Sequence, residues 1–404
     1  MKHGTVAGLD IGTTKTCTVV ASDGPHGLEI IGYGEAPSLG MRKGVVTDLE
    51  ETIKSIEAAT EKAERMAGVH IADVYVAITG EHIRSTNNRA VVAVQNDDRE
   101  VSSSDVHRVV EASKIISVPA DRQIVHALPR YFTVDGQDGV EDPVGMAGGR
   151  LEVDTHIITG GTSFITNVLK CVHRAGLEAS GLVFEPLASS AATLLPEEKQ
   201  VGVVLLDIGG GTTDIAVYSG GGAIFTATLP VGGNILTNDI SLGLKTTAGE
   251  AEQIKRVYGS GPPDAEEQFF PVKTLDGRST RETSSSQLRQ IVVPRVVETF
   301  RMCKTKIIEN VPRDLVLGEI VLTGGGAHLK GIEPLAEEVF GLPVRVGTPD
   351  AIGGLNEAMK QPEYATTIGL ILFGPNGGIE NHRYVKHSPS MFGKFRSWLG
   401  DLWN

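Results

Sequence analysis

Two short stretches carry residues that could handle phosphate. One is Gly8-Leu9-Asp10-Ile11-Gly12-Thr13-Thr14-Lys15, and the other is Leu206-Asp207-Ile208-Gly209-Gly210-Gly211-Thr212-Thr213-Asp214. Glycine tolerates positive φ and lets backbone N–H groups approach a ligand closely. Successive N–H groups in such a turn make a concave anion site, to which the threonine hydroxyls add donors. Asp207 and Asp214 repel phosphate unless a cation lies between, and magnesium is the usual one. One copy alone could equally be a glycine-rich hairpin with acidic flanks. The repeat of Asp-Ile-Gly with following threonines argues for two similar halves that present their loops to one cleft.

Each loop needs strands to hold it. Val203 to Leu206 and Ile215 to Tyr218 are β-type runs around the triglycine turn, and Thr5 to Val20 reads as the matching hairpin. Leu28 to Tyr33 is a third strand. Asp48 is the expected cap of a helix from Leu49 to Ala67 that Gly68 ends, and Val74 to Ile78 is a central strand. From about residue 84 to 161 the texture changes to an inserted β-α-β-β unit. Its strands are Ala90 to Val94, Gln123 to Val134 and Leu151 to Thr159. Ser104 or Asp105 caps its helix over Val106 to Ile116, and Asp135 to Arg150 is a loop. Thr162 or Ser163 caps a helix through Ala175. Leu182 to Phe184 then leads into Glu185-Pro186 and the small-residue helix Leu187 to Leu194, with Pro196 to Lys199 a polar link.

Ala223 to Leu229 is a strand, and helices follow from Gly232 through Leu242 and from Thr247 to Tyr258. Residues 259 to 287 read as a loop with one short strand at Phe269 to Val272. Leu288 to Ile308 is helical with Pro294 near its start. Ile320 to Thr323, Gly324-Gly325-Gly326 and a helix through Phe340 make a third strand–glycine turn–helix. Pro343 to Val346 is a strand, and Ala365 to Phe373 is a small, apolar packing helix.

Composition bounds the function. The length of 404 residues suits two domains with insertions. A net charge of −13 argues against nucleic acid as the main partner. Cys17, Cys171 and Cys303 are scattered, without zinc or redox spacing, as in a reducing cytosol. A leader peptide and a membrane-spanning run are both expected to be absent.

In this order the motifs resemble the actin-like ATPase superfamily. The resemblance implies an α/β, actin-like (ribonuclease H-type) two-domain fold with ATP and Mg2+ in the cleft. It makes Asp10 and Asp207 the metal-holding carboxylates, acting through waters. Gly12, Thr13, Thr14 and Lys15 would touch the phosphates from one side, and Gly209, Gly210, Gly211 and Thr212 from the other. Gly324, Gly325, Gly326 and Ala327, with Glu252, Lys255 and Arg256, would line the ribose and adenine. Glu185 and Asp214 are the candidates for orienting an attacking water, with a structural role open for each; hydrolysis is expected to be slow at most.

The insert, with Gly44-Val45-Val46-Thr47-Asp48, Asp142-Pro143-Val144-Gly145-Met146 and Pro230-Val231-Gly232-Gly233-Asn234, is similar to the FtsA family of bacterial cell-division proteins. That likeness divides the chain into subdomain 1A (1–83, 162–199 and 361–373), an inserted 1C (84–161), 2A (200–229 and 311–360) and 2B (230–310). A linker at 374–389 and an amphipathic helix at 390–404 follow. It implies head-to-tail filaments, other division proteins bound through 1C, and the acidic C-terminal tail of the tubulin-like protein FtsZ docked on 2B. Arg289, Arg295, Arg301 and Lys304 are the candidate docking residues. A PilM-like pilus-assembly adaptor and a metabolic or chaperone ATPase of the same superfamily are the alternatives.

The tail carries its own signal. In a helix of about 100° per residue, Met391, Phe392, Phe395, Trp398, Leu399, Leu402 and Trp403 share one face, roughly 140° wide. Tryptophan favours the headgroup boundary, and the nearby Lys394 and Arg396 suit anionic lipid. The tail suggests a peripheral membrane location, and the FtsA likeness implies that it is the cytoplasmic face of the cell membrane at the division site.

Overall fold

The computed structural model describes residues 4–24, 27–95, 98–261, 266–350, 352–354 and 359–374. It opens with antiparallel β1 (Thr5–Ile11), β2 (Lys15–Gly24) and β3 (Gly27–Pro37). The small ribbon β4 (Met41–Arg42) and β5 (Val45–Val46) leads into α1 (Leu49–Ala67). The Asp48 side chain accepts the Glu51 N–H, and Gly68 closes the helix at φ 66°, so side-chain cap and left-handed glycine fix both ends. β6 (Asp73–Ile78) then pairs parallel to β1.

The chain next leaves this sheet. β7 (Arg84–Ala93), α2 (Ser103–Ser113), β8 (Arg122–Val134), β9 (Gln137–Val140) and β10 (Arg150–Gly161) build an antiparallel sheet in the order β7-β10-β8-β9. It has a core of its own around Val106, Val109, Phe132 and Leu151. The chain returns through α3 (Thr162–Arg174) to β11 (Glu178–Phe184), parallel to β6, and then α4 (Glu185–Thr193) and α5 (Pro196–Val201). The first sheet reads β11-β6-β1-β2-β3.

The second half repeats this plan. β12 (Val203–Ile208), β13 (Thr213–Ser219) and β14 (Gly222–Leu229) are antiparallel. Next come α6 (Gly233–Gly243), α7 (Ala248–Tyr258), the hairpin β15 (Phe269–Lys273) and β16 (Thr280–Ser284), and α8 (Ser285–Asn310). β17 (Glu319–Thr323) returns parallel to β12, and α9 (Ile332–Phe340) precedes β18 (Val344–Val346), parallel to β17. α10 (Ala365–Phe373) ends the described chain. The sheet order β14-β13-β12-β17-β18 matches the first half strand for strand. The motif repeat is thus a repeat of fold, the two-half actin-like plan.

β12 is apolar throughout because both its faces are covered. Val203 and Leu205 share the first half's core, whereas Val204, Leu206 and Ile208 belong to the second's, as the period of two requires. α10 is also buried nearly all round, with Ile368, Leu370 and Ile371 inaccessible. A Cβ at Gly369 would stand 1.8 Å from the Ala188 carbonyl oxygen, so α4 and α10 cross in backbone contact. The insert leans on the edge strand β14: Ser85 and Asn87 donate to the carbonyls of Thr226 and Ile224 at 2.7 and 3.0 Å. That covers an otherwise open sheet edge.

Local readings of the sequence need six changes. Ser102, not Ser104 or Asp105, caps α2; Asp105 is the third helical residue and bonds back to Ser102 in a capping box, and the helix ends at Ser113. α3 has Gly161 as its cap, without a side-chain bond. Residues 135–150 include β9, which turns on Asp135 and Gly136, both at positive φ. Pro196 opens a short helix rather than a link, because Glu198 reaches back to the Leu195 N–H at 2.7 Å. β16 pairs with β15 in what reads as loop, with Thr283 opposite Phe270 and Arg281 opposite Val272. α8 begins at Ser285 on a Ser284–Gln287 capping box, which leaves Pro294 inside the helix.

Candidate functional site

A cleft of about 630 Å³ lies between the halves. Both hairpin loops reach it. Gly12, Thr13, Thr14 and Lys15 line it from the first half, and Gly209, Gly210 and Thr212 from the second. The loops touch: a Cβ at Gly210 would meet Thr14 Cγ2 at 2.4 Å, and one at Gly211 would meet Thr13 Oγ1 at 2.6 Å. A side chain at either glycine would push the threonine facing it aside. The second loop is braced from behind, because the Gly233 and Asn234 N–H groups at the start of α6 donate to the Gly209 and Gly210 carbonyls at 2.9 and 2.8 Å.

Three carboxylates line the floor, Asp10, Asp207 and Glu185, and Asp214 lies just behind them. Asp10 stands one residue before the end of β1 and Asp207 one before the end of β12, the same place in each repeat. The Thr367 hydroxyl donates to Asp10 at 3.1 Å, and that of Thr366 to Asp207 at 2.9 Å. Asp214 stands opposite Asp207 across the hairpin. It accepts from Thr79 of the first half at 2.6 Å and from Thr228. Glu185 opens α4 and lines the cleft. Burial pushes Asp10 up to about 6; Lys15 opposes this and Asp207 adds to it. Burial carries Asp214 to about 7 against the Thr228 and Thr79 hydroxyls. Glu185 is raised by burial and then by the charges of Asp10, Asp214 and Asp207. Burial also raises Asp207.

Buried acids that repel one another are a donor set for a hard cation. Among the described residues no three His, Cys, Asp or Glu side chains converge tightly enough to ligate an ion directly. Oxygen donors of this kind suit a hard cation better than a soft one.

Lys15 is the cation of the first loop. Its Nζ lies 3.4 Å from Glu35 and 3.5 Å from the Tyr364 ring centroid. The Tyr364 hydroxyl donates to the same Glu35 at 2.9 Å. At the other end, Glu252 accepts from Thr237 at 2.6 Å and pairs with Lys255 at 2.7 Å and Arg256 at 2.9 Å. Burial acts to raise Glu252, but the bonds from Lys255, Thr237 and Arg256 outweigh it and bring the carboxyl to about 2. Gly324, Gly325 and Gly326 form the wall between. Gly324 has φ 78°, and a Cβ there would lie 2.3 Å from Asp207 Oδ1. His328 pairs with Glu363 on the same wall.

Most residues singled out by sequence thus meet in one cleft. Three lie just behind it: Gly211 sits at the loop contact, Ala327 is buried beneath the glycine wall, and Asp214 is buried under the hairpin. The four basic residues of α8 do not form one face. Arg289 donates to the Ser260 and Gly261 carbonyls, both at 2.7 Å. Arg295 lines the cleft and pairs with Asp239 and Glu298. Lys304 donates to the Val339 carbonyl at 2.7 Å. Arg301 is exposed and borders a separate groove of about 470 Å³ with Val297 and Met302. The helical period explains part of the scatter: spacings of six residues turn Arg289, Arg295 and Arg301 about 120° from one another, whereas Lys304 lies within about 60° of Arg301 and is taken up by the Val339 carbonyl. Met391, Phe392, Phe395, Trp398, Leu399, Leu402, Trp403 and the linker from residue 375 lie outside the described residues. Among those described, no helix is long and apolar enough to cross a membrane.

Thr79, Thr228, Glu35, Tyr364, Thr366 and Thr367 escaped the sequence reading. α4 and α10 each follow the final strand of their half, so the first turn of α10 stands where Glu185 stands in α4.

Comparison with known proteins bears on this geometry. A family profile described as "Cell division protein FtsA" matches residues 204–369, and one described as "SHS2 domain inserted in FTSA" matches residues 80–159. Cell division protein FtsA of Pseudomonas aeruginosa is 40% identical over 378 residues, covering 91% of this chain and 89% of that relative. The chain belongs to the FtsA family. The Escherichia coli member is 36% identical over 410 residues, covering 98% of this chain and 97% of its own length. Solved structures carry the fold. The PilM-PilN type IV pilus biogenesis complex has a TM-score of 0.64 at 19% identity, covering 91% of this chain and 98% of that one. MreB5 of Spiroplasma citri bound to ADP has a TM-score of 0.58 at 15% identity, covering 95% and 100%. PilM is thus a relative in fold, while sequence identity puts the chain with FtsA.

Proposed function

We propose that this FtsA-family chain binds ATP with magnesium in the cleft, assembles head to tail, and tethers the FtsZ ring to the cytoplasmic membrane. The observation that carries this reading is the meeting of two glycine loops and three carboxylates, with Asp214 behind them, between two repeated halves. Bound magnesium would neutralise phosphate charge. Asp10 and Asp207 would hold it through waters, and Lys15 with the loop N–H groups would position the phosphates. Gly324 to Gly326, Glu252, Lys255 and Arg256 would face the nucleoside. The structure of MreB5 with ADP, a fold relative, is in keeping with a nucleotide here. Glu185 and Asp214 are the acids available to orient a water, and slow turnover is sufficient for a cleft that reports its occupancy.

Residues 390–404 supply the membrane contact as an amphipathic helix. A single anchor of this kind binds reversibly, and several on one filament bind far more firmly. Filaments follow from a contact between unlike faces that does not close. Other division proteins would bind through the insert. For the acidic FtsZ tail, Arg301 is the basic residue of the set best placed, exposed beside an apolar groove; Arg289, Arg295 and Lys304 would have to exchange internal bonds. Co-sedimentation with anionic liposomes tests the reading. Pelleting should rise with ATP, carry FtsZ along, and be lost in a Trp398→Glu, Trp403→Glu variant. Pelleting of that variant equal to the parent's would remove the membrane role.

A further inference from the structure

We infer that Glu363, Tyr364, Thr366 and Thr367 form a positioning strap that sets the charged groups of the cleft from both halves at once; this rests on the nucleotide reading above. Four side chains within five consecutive residues each hold a different group. Glu363 pairs with His328 on the glycine wall. Tyr364 lies beneath Lys15 with its ring centroid 3.5 Å from Nζ, and donates to Glu35, the carboxylate that pairs with the same lysine. Thr366 donates to Asp207 at 2.9 Å and Thr367 to Asp10 at 3.1 Å.

The geometry follows from the first turn of α10. Neighbouring helical residues point about 100° apart, so two consecutive hydroxyls can reach β12 on one side and β1 on the other. Each takes the Oδ2 of its aspartate. The Oδ1 atoms stay toward the glycine loops, that of Asp207 beside Gly324 and that of Asp10 beside Gly12. The threonine pins one oxygen of each aspartate; Asp207 takes a further hydroxyl bond from Ser189, and Asp10 keeps its Oδ1 for a hydrated cation. The strap cannot slide, because the Pro362 carbonyl accepts the Gly324 N–H at 3.1 Å and Gly369 locks α10 against Ala188. Partners that orient metal-holding groups in this way are worth about 10- to 100-fold in metal affinity.

The test is equilibrium binding of a fluorescent ATP analogue to the full chain across a magnesium titration, with melting temperature recorded for each variant. Thr366→Val and Thr367→Val keep the shape and remove the hydroxyl; Thr366→Ser and Thr367→Ser keep the hydroxyl and remove the methyl. The valine variants should need about 10- to 100-fold more magnesium, and the serine variants should match the parent. Tyr364→Phe should weaken binding equally with and without magnesium, because it acts through Lys15. Valine variants with the parent's magnesium dependence would overturn the proposal. So would serine variants as impaired as the valine ones, which is the mark of methyl packing alone. If a valine variant does not fold, Thr366→Ala or Thr367→Ala takes its place under the same criteria. A parent that binds no analogue at any magnesium concentration overturns the cleft reading itself and the strap with it.

Discussion

In the first half, the hairpin of β1 and β2 sets Asp10 opposite Cys17; in the second, β12 and β13 set Asp207 opposite Asp214. The strands and registers correspond, and the chemistry does not. Cys17 is buried, and burial pushes its thiol up to about 12, so that position is filled by an inert apolar group. Asp214 in the matching place reaches across to Thr79 of the other half. The loops differ likewise: the first ends in a lysine on a long side chain, while the second offers three glycines and Thr212 with no charge of its own, braced by α6. The closing helices differ too, α4 bringing a carboxylate and α10 bringing hydroxyls. A repeat fixes where groups stand, and substitution within it then separates the movable charge from the rigid cradle.

The contact between the two closing helices is the strictest part of this symmetry. Gly369→Ala should cost about 3 kcal/mol in urea unfolding, because the new methyl meets the Ala188 carbonyl and the helices must part. An unchanged midpoint would break the claim that the halves meet backbone to backbone.

The crowding of acids should appear as a trade between stability and binding. Asp10→Asn should stabilise the ligand-free protein at pH 7 by about 2 kcal/mol, since it removes a charge that burial and Asp207 both penalise. The same change should abolish the stabilisation given by magnesium with ATP. A variant less stable than the parent without ligand would count against the electrostatic account.

The seam around the insert contrasts with the cleft, because its buried groups are neutral. His126 accepts the Phe184 N–H at 3.0 Å, and His156 bonds Asn87 at 2.7 Å and Thr226 at 3.0 Å. Burial lowers their pKa values to about 4 and about 3. Unfolded histidine takes up a proton near 6.5, so the stability contributed by each neutral ring is complete above that pH. It is lost as pH falls toward the folded value, at about 1.4 kcal/mol per pH unit. The raised cleft acids act in the opposite sense, so the comparison must be between variants. His156→Gln should flatten the decline from pH 6 to 5 by about 1.4 kcal/mol per unit, and an unchanged slope would remove His156 from the account.

The smallest effect concerns the insert's own helix. Ser102→Ala should cost about 1 kcal/mol through loss of the cap on α2. Ser104→Ala should cost nothing measurable by the same denaturant titration.

Those two serines also show what could be read from sequence and what could not. The hairpins, α1 with Asp48 and Gly68, and the glycine loops were legible because each rests on local chemistry: capping, periodicity and turn residues. The choice of Ser102 over Ser104 depends on where Asp105 folds back, and one sequence offers several caps. β15 was read as a strand, but its partner β16 was missed because Thr280 to Ser284 are polar on both faces. Thr366 and Thr367 were missed for a different reason: their partners lie 159 and 357 residues away, and in sequence they are ordinary residues of an apolar helix. The scatter of Arg289, Arg295 and Arg301 around α8 was legible in the helical period itself; the internal bond of Lys304 was not.

The central claim is that both halves together make one metal-dependent nucleotide site. Anything that binds only the folded state raises the melting temperature by linkage. The direct measurement is therefore thermal unfolding of the full chain with ATP, with magnesium, and with both. The account predicts a rise with both that far exceeds the sum of the two alone, and its loss in Asp10→Asn and in Asp207→Asn alike. A shift that does not need magnesium, or that survives in either variant, would contradict it.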